Sequence, residues 1–346
     1  FAMRERIAAH GRLGETTALP ALIEALFAAS VEPGAESAQV AALVPAIIHL
    51  LYAGELRAAQ ELAARLDSDA VDADSLLPFA RARIYQLRAA LRQHEGDLAA
   101  AVRNQQLARA EFREAKDQRA FALVTSNLAF TLMVLGQNDA SEQLLREAVR
   151  LARRLSLATV EPLALQNLGA VRARLGFWNE AMELQSEALA AFEARKDPRL
   201  AGVSSVHLAL AALKLGRLEE AEAFADRVIV SAFEPLRFAG YGAKALLALE
   251  RGQGELAVEL ARTANQLLDG LGSVEEFEVM ARLALAESLH RCGEVQAALG
   301  SLQRTYARML ALAAKIADPQ LQHGFLWSVP EHARVLELFG EVKPAV

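Results

Sequence analysis

The sequence predicts an all-α, right-handed α-solenoid of about seven helix pairs, with a period of about 40 residues and a C-terminal helical cap. Three observations predict it. Seven glycines recur at near-constant spacing: Gly54, Gly96, Gly136, Gly176, Gly216, Gly252 and Gly293. A fixed period of this size marks units too small to bury their own apolar face, which stack on one another instead. Behind each turn, small and apolar residues return at i, i+3 and i+7: Ala181, Leu184 and Ala188; Ala221, Phe224 and Val228; Ala257, Leu260 and Ala264. That is a helical stripe, not strand alternation. The composition agrees, being 53% hydrophobic but only 6% aromatic, with Ala and Leu favouring helices that approach closely across small side chains.

Taken in order, the first element is incomplete. Gly14 lies one further period before Gly54, a second-helix-like stretch runs from Ala18 to Ala29, and residues 1–12 read as the stump of a first helix. The chain is therefore expected to be part of a longer protein. The expected boundaries are a partial repeat over 1–37, the solenoid over 38–317, and capping helices with a tail over 318–346. Pro, Gly, Asp and Ser concentrate at 31–37, 66–75, 116–117, 159–162, 197–198, 233–235 and 271–273, which separate the units. Inside each unit the glycine ends the first helix, in a left-handed conformation that costs other residues more. An acidic residue directly after it, as in Glu55, Asp97 and Glu294, suits the positive end of the next helix dipole. In the sixth unit Gly254 competes with Gly252 as the turn. In the cap, Asp318-Pro319 is expected to open a short helix. Ser328-Val329-Pro330-Glu331 has the spacing of a capping box that opens a last helix through Phe339.

The bulk properties exclude several classes. A net charge of −6 gives no electrostatic reason to expect nucleic acid as a partner. The single cysteine, Cys292, rules out an intrachain disulfide framework and a multi-cysteine metal site. It takes the place of Leu135, Leu175 and Leu215 and is expected to be a small buried residue; Phe177 and Trp178 are expected to pack in the core. No apolar run reaches about 18 residues, so no membrane span and a cytoplasmic location are expected. No two histidines have the i, i+4 spacing of a zinc helix, no Gly-Lys pair supports a phosphate loop, and no Gly-x-Ser-x-Gly elbow appears. No catalysis, cofactor or metal is expected.

The phrase Asn167-Leu168-Gly169, then Leu175-Gly176, then Ala181 and Ala188, resembles a tetratricopeptide repeat (TPR). The likeness covers roughly residues 38–317 and is clearest in the third to fifth units. The family's usual unit, about 34 residues, is shorter than this one, so longer helices are implied here. HEAT or armadillo repeats share the longer period and are the alternative fold. The segment from Asp318-Pro319 through Phe325-Leu326-Trp327 to Arg334 resembles the C-terminal ends of large bacterial regulators that join a kinase, cyclase or ATPase module to a TPR arm.

Asn127, Asn167 and His207 follow one another at single-period steps, each just before the Leu of a first helix. The resemblance implies that this position faces a concave groove, where an amide can pair with both N–H and C=O of an extended ligand. Leu123, Phe130, Leu163, Gln166, Val203 and Leu210 are the neighbouring groove candidates, with Arg174 and Lys214 towards the rim. The competing reading is that Asn caps or bridges a neighbouring helix. The expected function is recognition of a protein or peptide segment by the sensor or docking arm of a bacterial signalling protein. The alternative is an arm for self-association, or for autoinhibition of an upstream module, with no separate ligand.

Overall fold

The computed structural model describes residues 21, 24–25, 36–52, 55–68, 76–271 and 276–342. Gly14, Gly54 and the expected stump over 1–12 lie outside the described residues. Among those described, regular structure is helical throughout, apart from a short 3-10 turn at Glu234–Leu236. Seven pairs follow in order: α1 (Glu36–Tyr52) and α2 (Leu56–Ser68), α3 (Pro78–Glu95) and α4 (Leu98–Glu114), α5 (Gln118–Val134) and α6 (Asn138–Arg154). Then come α7 (Glu161–Arg174) and α8 (Trp178–Ala194), α9 (Pro198–Lys214) and α10 (Leu218–Ile229), α11 (Arg237–Glu250) and α12 (Gly254–Asp269), α13 (Glu278–Arg291) and α14 (Val295–Ala313). The cap is α15 (Pro319–Trp327) and α16 (Pro330–Val342). The fold is an all-α, TPR-like solenoid.

The chain divides into two compact units, residues 1–131 and 132–346, the division falling within α5. In the first unit, Val40, Leu43, Val44, Ile47 and Leu50 of α1 pack with Ala59 and Leu62 of α2 and Ile84 and Leu87 of α3. Pro78 opens α3 at its first turn, where its missing N–H costs nothing. Gly96 closes that helix at φ 82°, and the Asp97 side chain then accepts from Ala100 N–H to cap α4.

In the second unit the same turn recurs at Gly136, Gly176, Gly216, Gly252 and Gly293, with φ between 71° and 85°. Gly252, not Gly254, is thus the sixth turn, and Gly254 already belongs to α12. The other connection, from the second helix of one pair to the first of the next, has its own series: Lys116, Ser156 and Lys196 all have φ between 52° and 55°. Each closes its helix with a bond from the following N–H to a carbonyl one turn back, as in Leu157 to Ala152 and Asp197 to Phe192. Of the residues that follow the glycines at 96, 136, 176, 216, 252 and 293, Asp97 caps its helix by its side chain, whereas Gln137, Phe177, Arg217, Gln253 and Glu294 make no such bond.

Small residues set the spacing between helices. Ala181, Ala188, Ala221, Ala257 and Ala264 are fully or almost fully buried. A β-carbon at Gly169 would come within 2.9 Å of Gln185 on α8. Among the first helices α7 touches α9, α9 touches α11 and α11 touches α13, whereas the second helices of this unit make no comparable contact with their like neighbours. The first helices are therefore the closer-packed, inner layer of this unit.

The cap does more than cover the last pair. α16 packs on α13 and α14, and α15 on α14 and α16. The Asp318 side chain accepts from Gln320 and Leu321 N–H, as an Asp before Pro should. The expected capping box is not formed as read. Ser328 ends α15, its N–H donating to Gly324 O, and α16 opens at Pro330 and runs on to Val342. Gly324 also lies directly on the turn after α5: a β-carbon on Gly136 would overlap the Gly324 carbonyl, and one on Gly324 would sit 2.6 Å from Leu135 O.

Candidate recognition groove

On α7 and α9 the residues Leu163 and Asn167, and Val203, His207 and Leu210, are partly exposed while their neighbours on either side are buried, and Arg174 is partly exposed at the end of α7. These positions recur at i, i+4 and i+7 or i+11, so they form one stripe along the open side of each inner helix. Lys214 is exposed at the end of the α9 stripe. In the first unit, Leu123, Asn127 and Phe130 hold the same register on α5 with the same partial exposure.

Two expected groove residues serve other roles. Gln166 is buried: its Nε2 donates to Leu200 O (2.9 Å) and Ser204 Oγ (2.7 Å), and its backbone carbonyl accepts from Gln185 Nε2 (2.7 Å). It ties α7 to α8 and α9 because it precedes the stripe by one residue, a turn of about 100° into the helix interface. Arg174 reaches back to donate to Met133 O at 2.5 Å.

Arg174 also acts on the cap. His332 on α16 is buried, with Nδ1 2.7 Å from Phe325 O and its ring edge-on to Phe325 at 4.3 Å. Burial pushes its pKa down, the Arg174 charge lowers it further, and the Phe325 carbonyl and Glu331 oppose both. The folded state thus favours neutral imidazole. Its contribution is full above the unfolded value, about 6.5, and is lost as pH falls below that value towards the depressed folded one. Unfolding temperature is expected to drop more between pH 7.5 and 5.5 in the native chain than in His332→Asn, which keeps an N–H donor without titrating; equal drops would remove His332 as the cause.

His207 is engaged from within the chain. Its Nε2 lies 3.0 Å from Glu276 Oε1, and its ring meets Phe277 at 5.0 Å and 62°, edge to face. Phe277 joins Val203, Leu210 and Tyr241 around the same buried cluster, which includes Val206 of α9 and Phe238 of α11. Sequence reading located the break before α13 but not this return of Glu276 and Phe277 onto α9, for which no local pattern exists.

Two further expectations are corrected. Cys292 is exposed, because the last glycine turn carries no covering element, whereas Leu135 is buried beside Gly324. Phe177 is half exposed and lies under the Arg172 guanidinium, 3.5 Å from its centroid, while Trp178 packs partly into the core. Among the described residues no cluster of three or more His, Cys, Asp or Glu is placed to hold a metal, and no helix is long and apolar enough to cross a membrane.

No family model matches the chain, and no curated protein does. Solved structures do. A Rap protein complexed with Competence and Sporulation Factor aligns over 99% of this chain and 98% of its own, with a TM-score of 0.63 at 11% identity. The apo form of the quorum sensor NprR from B. thuringiensis aligns over 99% and 97%, with a TM-score of 0.60 at 12% identity. A signal-transduction ATPase of the STAND class with a tetratricopeptide repeat sensor, from Pyrococcus horikoshii, aligns over 77% of this chain and 41% of its own, with a TM-score of 0.56 at 17% identity. At these identities the likeness establishes the fold, and it is the TPR-like one rather than HEAT or armadillo.

Proposed function

We propose that this chain is a non-catalytic recognition module that holds an extended protein or peptide segment against the stripes of its inner helices. The observation that carries the reading is the repetition of a partly exposed stripe, opening on an apolar residue with a polar one a turn later, on successive first helices. Asn167 and His207 centre the stripes of α7 and α9, and Asn127 holds the equivalent register on α5. Leu163 and Leu210 supply apolar contact beside them, with Leu123 and Phe130 doing so on α5, and Lys214 supplies a cation at the rim. An amide that both donates and accepts reads main chain, which every extended segment offers. The ligand named with the Rap structure and the sensor role named for the STAND and NprR proteins support a signalling context, with this chain as the docking or sensor arm.

A second reading is favoured by a specific contact. α15 lies on the Gly136 turn, a contact of the chain with itself of the kind an autoinhibitory arm would use.

The test uses the full chain and a degenerate library of acetylated, amidated decapeptides, selected by affinity and identified by mass spectrometry. Asn127→Ala with Asn167→Ala is expected to weaken the selected peptides by roughly ten- to a hundredfold, since each lost backbone hydrogen bond is worth about 0.5–1.5 kcal/mol. The unfolding midpoint is expected to stay close to that of the native chain. A large loss of stability with unchanged peptide binding would reverse the reading and make both residues structural.

A further inference from the structure

We infer that Glu276 and Phe277 are a built-in occupant of the α9 stripe, and that the ligand which replaces them presents an acidic residue followed by an aromatic one. The inference rests on the proposed recognition function and names the ligand chemistry at one of its positions.

Three observations bear on it. The first is placement. Val203, His207 and Leu210 are the stripe residues of α9, and Glu276 and Phe277 both contact its centre: the carboxylate lies 3.0 Å from His207 Nε2 and the ring meets the His207 ring edge to face, while Phe277, Val203 and Leu210 pack against the same buried cluster. A carboxylate and an aromatic ring in sequence are therefore what this surface accepts, by charge or hydrogen bond at the imidazole and by packing beside it.

The second is backbone cost. Phe277 has φ 63° and ψ −1°, a left-handed conformation at a residue with a large side chain. Among the described residues the other non-glycine positions of this kind are Lys116, Ser156 and Lys196, all in the regular series of helix ends. Phe277 stands outside that series, at the start of a helix. Such a conformation is unfavourable for a residue with a β-carbon and persists only where surrounding contacts hold it.

The third is helix initiation. The residue before α13 is normally Ser, Thr, Asp or Asn, with a side chain that accepts from the first turn. Phe277 occupies that place and makes no capping bond. The local chain gives up a cap and adopts a strained backbone, and what it gains is contact with the α9 stripe. A segment held by its side chains against a local cost is one that a free segment with the same side chains, and no such cost, displaces.

The probe is a fluorescent acetylated hexapeptide amide, Gly-Gly-Glu-Phe-Gly-Gly, titrated by polarisation against the full chain. In Glu276→Ala with Phe277→Gly, which removes both side chains and relieves the left-handed strain, affinity is expected to rise at least tenfold over the native chain. Adding His207→Ala to that variant is expected to abolish the gain, as is exchanging Glu for Gln or Phe for Ala in the probe. Glu276→Gln alone keeps the packing and is expected to give a smaller gain, and circular dichroism with an unfolding curve confirms that each variant folds. Equal affinity in native and double-variant chains, no binding by either, or binding that ignores His207 would overturn the inference. If decapeptides sensitive to Asn127 and Asn167 are selected without an acidic–aromatic pair, the inference falls and the recognition reading stands. If no decapeptide is sensitive to those residues, the recognition reading falls as well.

Discussion

Gly136→Ala is expected to destabilise the chain by about 2–4 kcal/mol more than Gly176→Ala, although the two glycines are equivalent turns of adjacent repeats. Both have positive φ, 74° and 85°, so both substitutions carry the left-handed penalty of about 1 kcal/mol. The surroundings differ. A β-carbon at Gly176 meets nothing within 4 Å. At Gly136 it would overlap the Gly324 carbonyl and lie 2.8 Å from the Ser328 β-carbon. Backbone cannot swing away as a flexible side chain does, so α15 must lift off the turn. Leu135 and Phe325, now almost fully buried, would then regain water, and each large apolar side chain contributes about 1.5–3 kcal/mol by its burial. Chemical denaturation of the two variants makes the comparison, and amide exchange in α15 should accelerate only in Gly136→Ala. Matching shifts in both would show that α15 does not rest on this turn in solution.

Arg172→Ala is expected to cost about 2–3 kcal/mol, against less than about 1 kcal/mol for Arg153→Ala. Arg172 is nearly buried; it donates to Glu142 at 3.0 Å and Glu180 at 2.6 Å and covers the Phe177 ring. Removing it leaves two neighbouring carboxylates with less compensation and uncovers an aromatic face. Both carboxylates are partly solvated and keep Arg146 as a second partner, which holds the loss below that of a fully buried pair. Arg153 makes as many ion pairs, with Glu161 and Glu187, but its side chain is 50% exposed. Water and salt screen such pairs. Denaturation midpoints at low and high salt distinguish the two sites, the Arg172 loss persisting in high salt. A loss at Arg172 that vanishes in salt would mean the site behaves as surface charge.

The pairing of helices was legible because it is local. Every described turn glycine in the series is left-handed, and the Ala positions behind the turns are buried, since both follow from a period repeated in one dimension. Lys116, Ser156 and Lys196 repeat just as regularly, but their residue types do not announce a left-handed backbone. The shared register of Asn127, Asn167 and His207, each partly exposed on its own first helix, follows from the same spacing. What lies upon it was not legible. The return of Glu276 to His207 and of Gly324 to Gly136 are contacts between residues far apart in sequence, set by how successive pairs stack and not by any one pair. Gln166 shows how narrow the margin is. It adjoins the stripe in sequence, yet one residue's rotation places it among three helices.

A photo-crosslinker tests directly whether the inner stripe is the binding surface. Benzoylphenylalanine placed at Leu163, on the α7 stripe, is expected to capture peptides from the degenerate decapeptide library. At Leu267, exposed on the second helix α12, it is expected to capture none above the background of the unmodified chain. Capture at Leu267 equal to or greater than that at Leu163 would contradict the account.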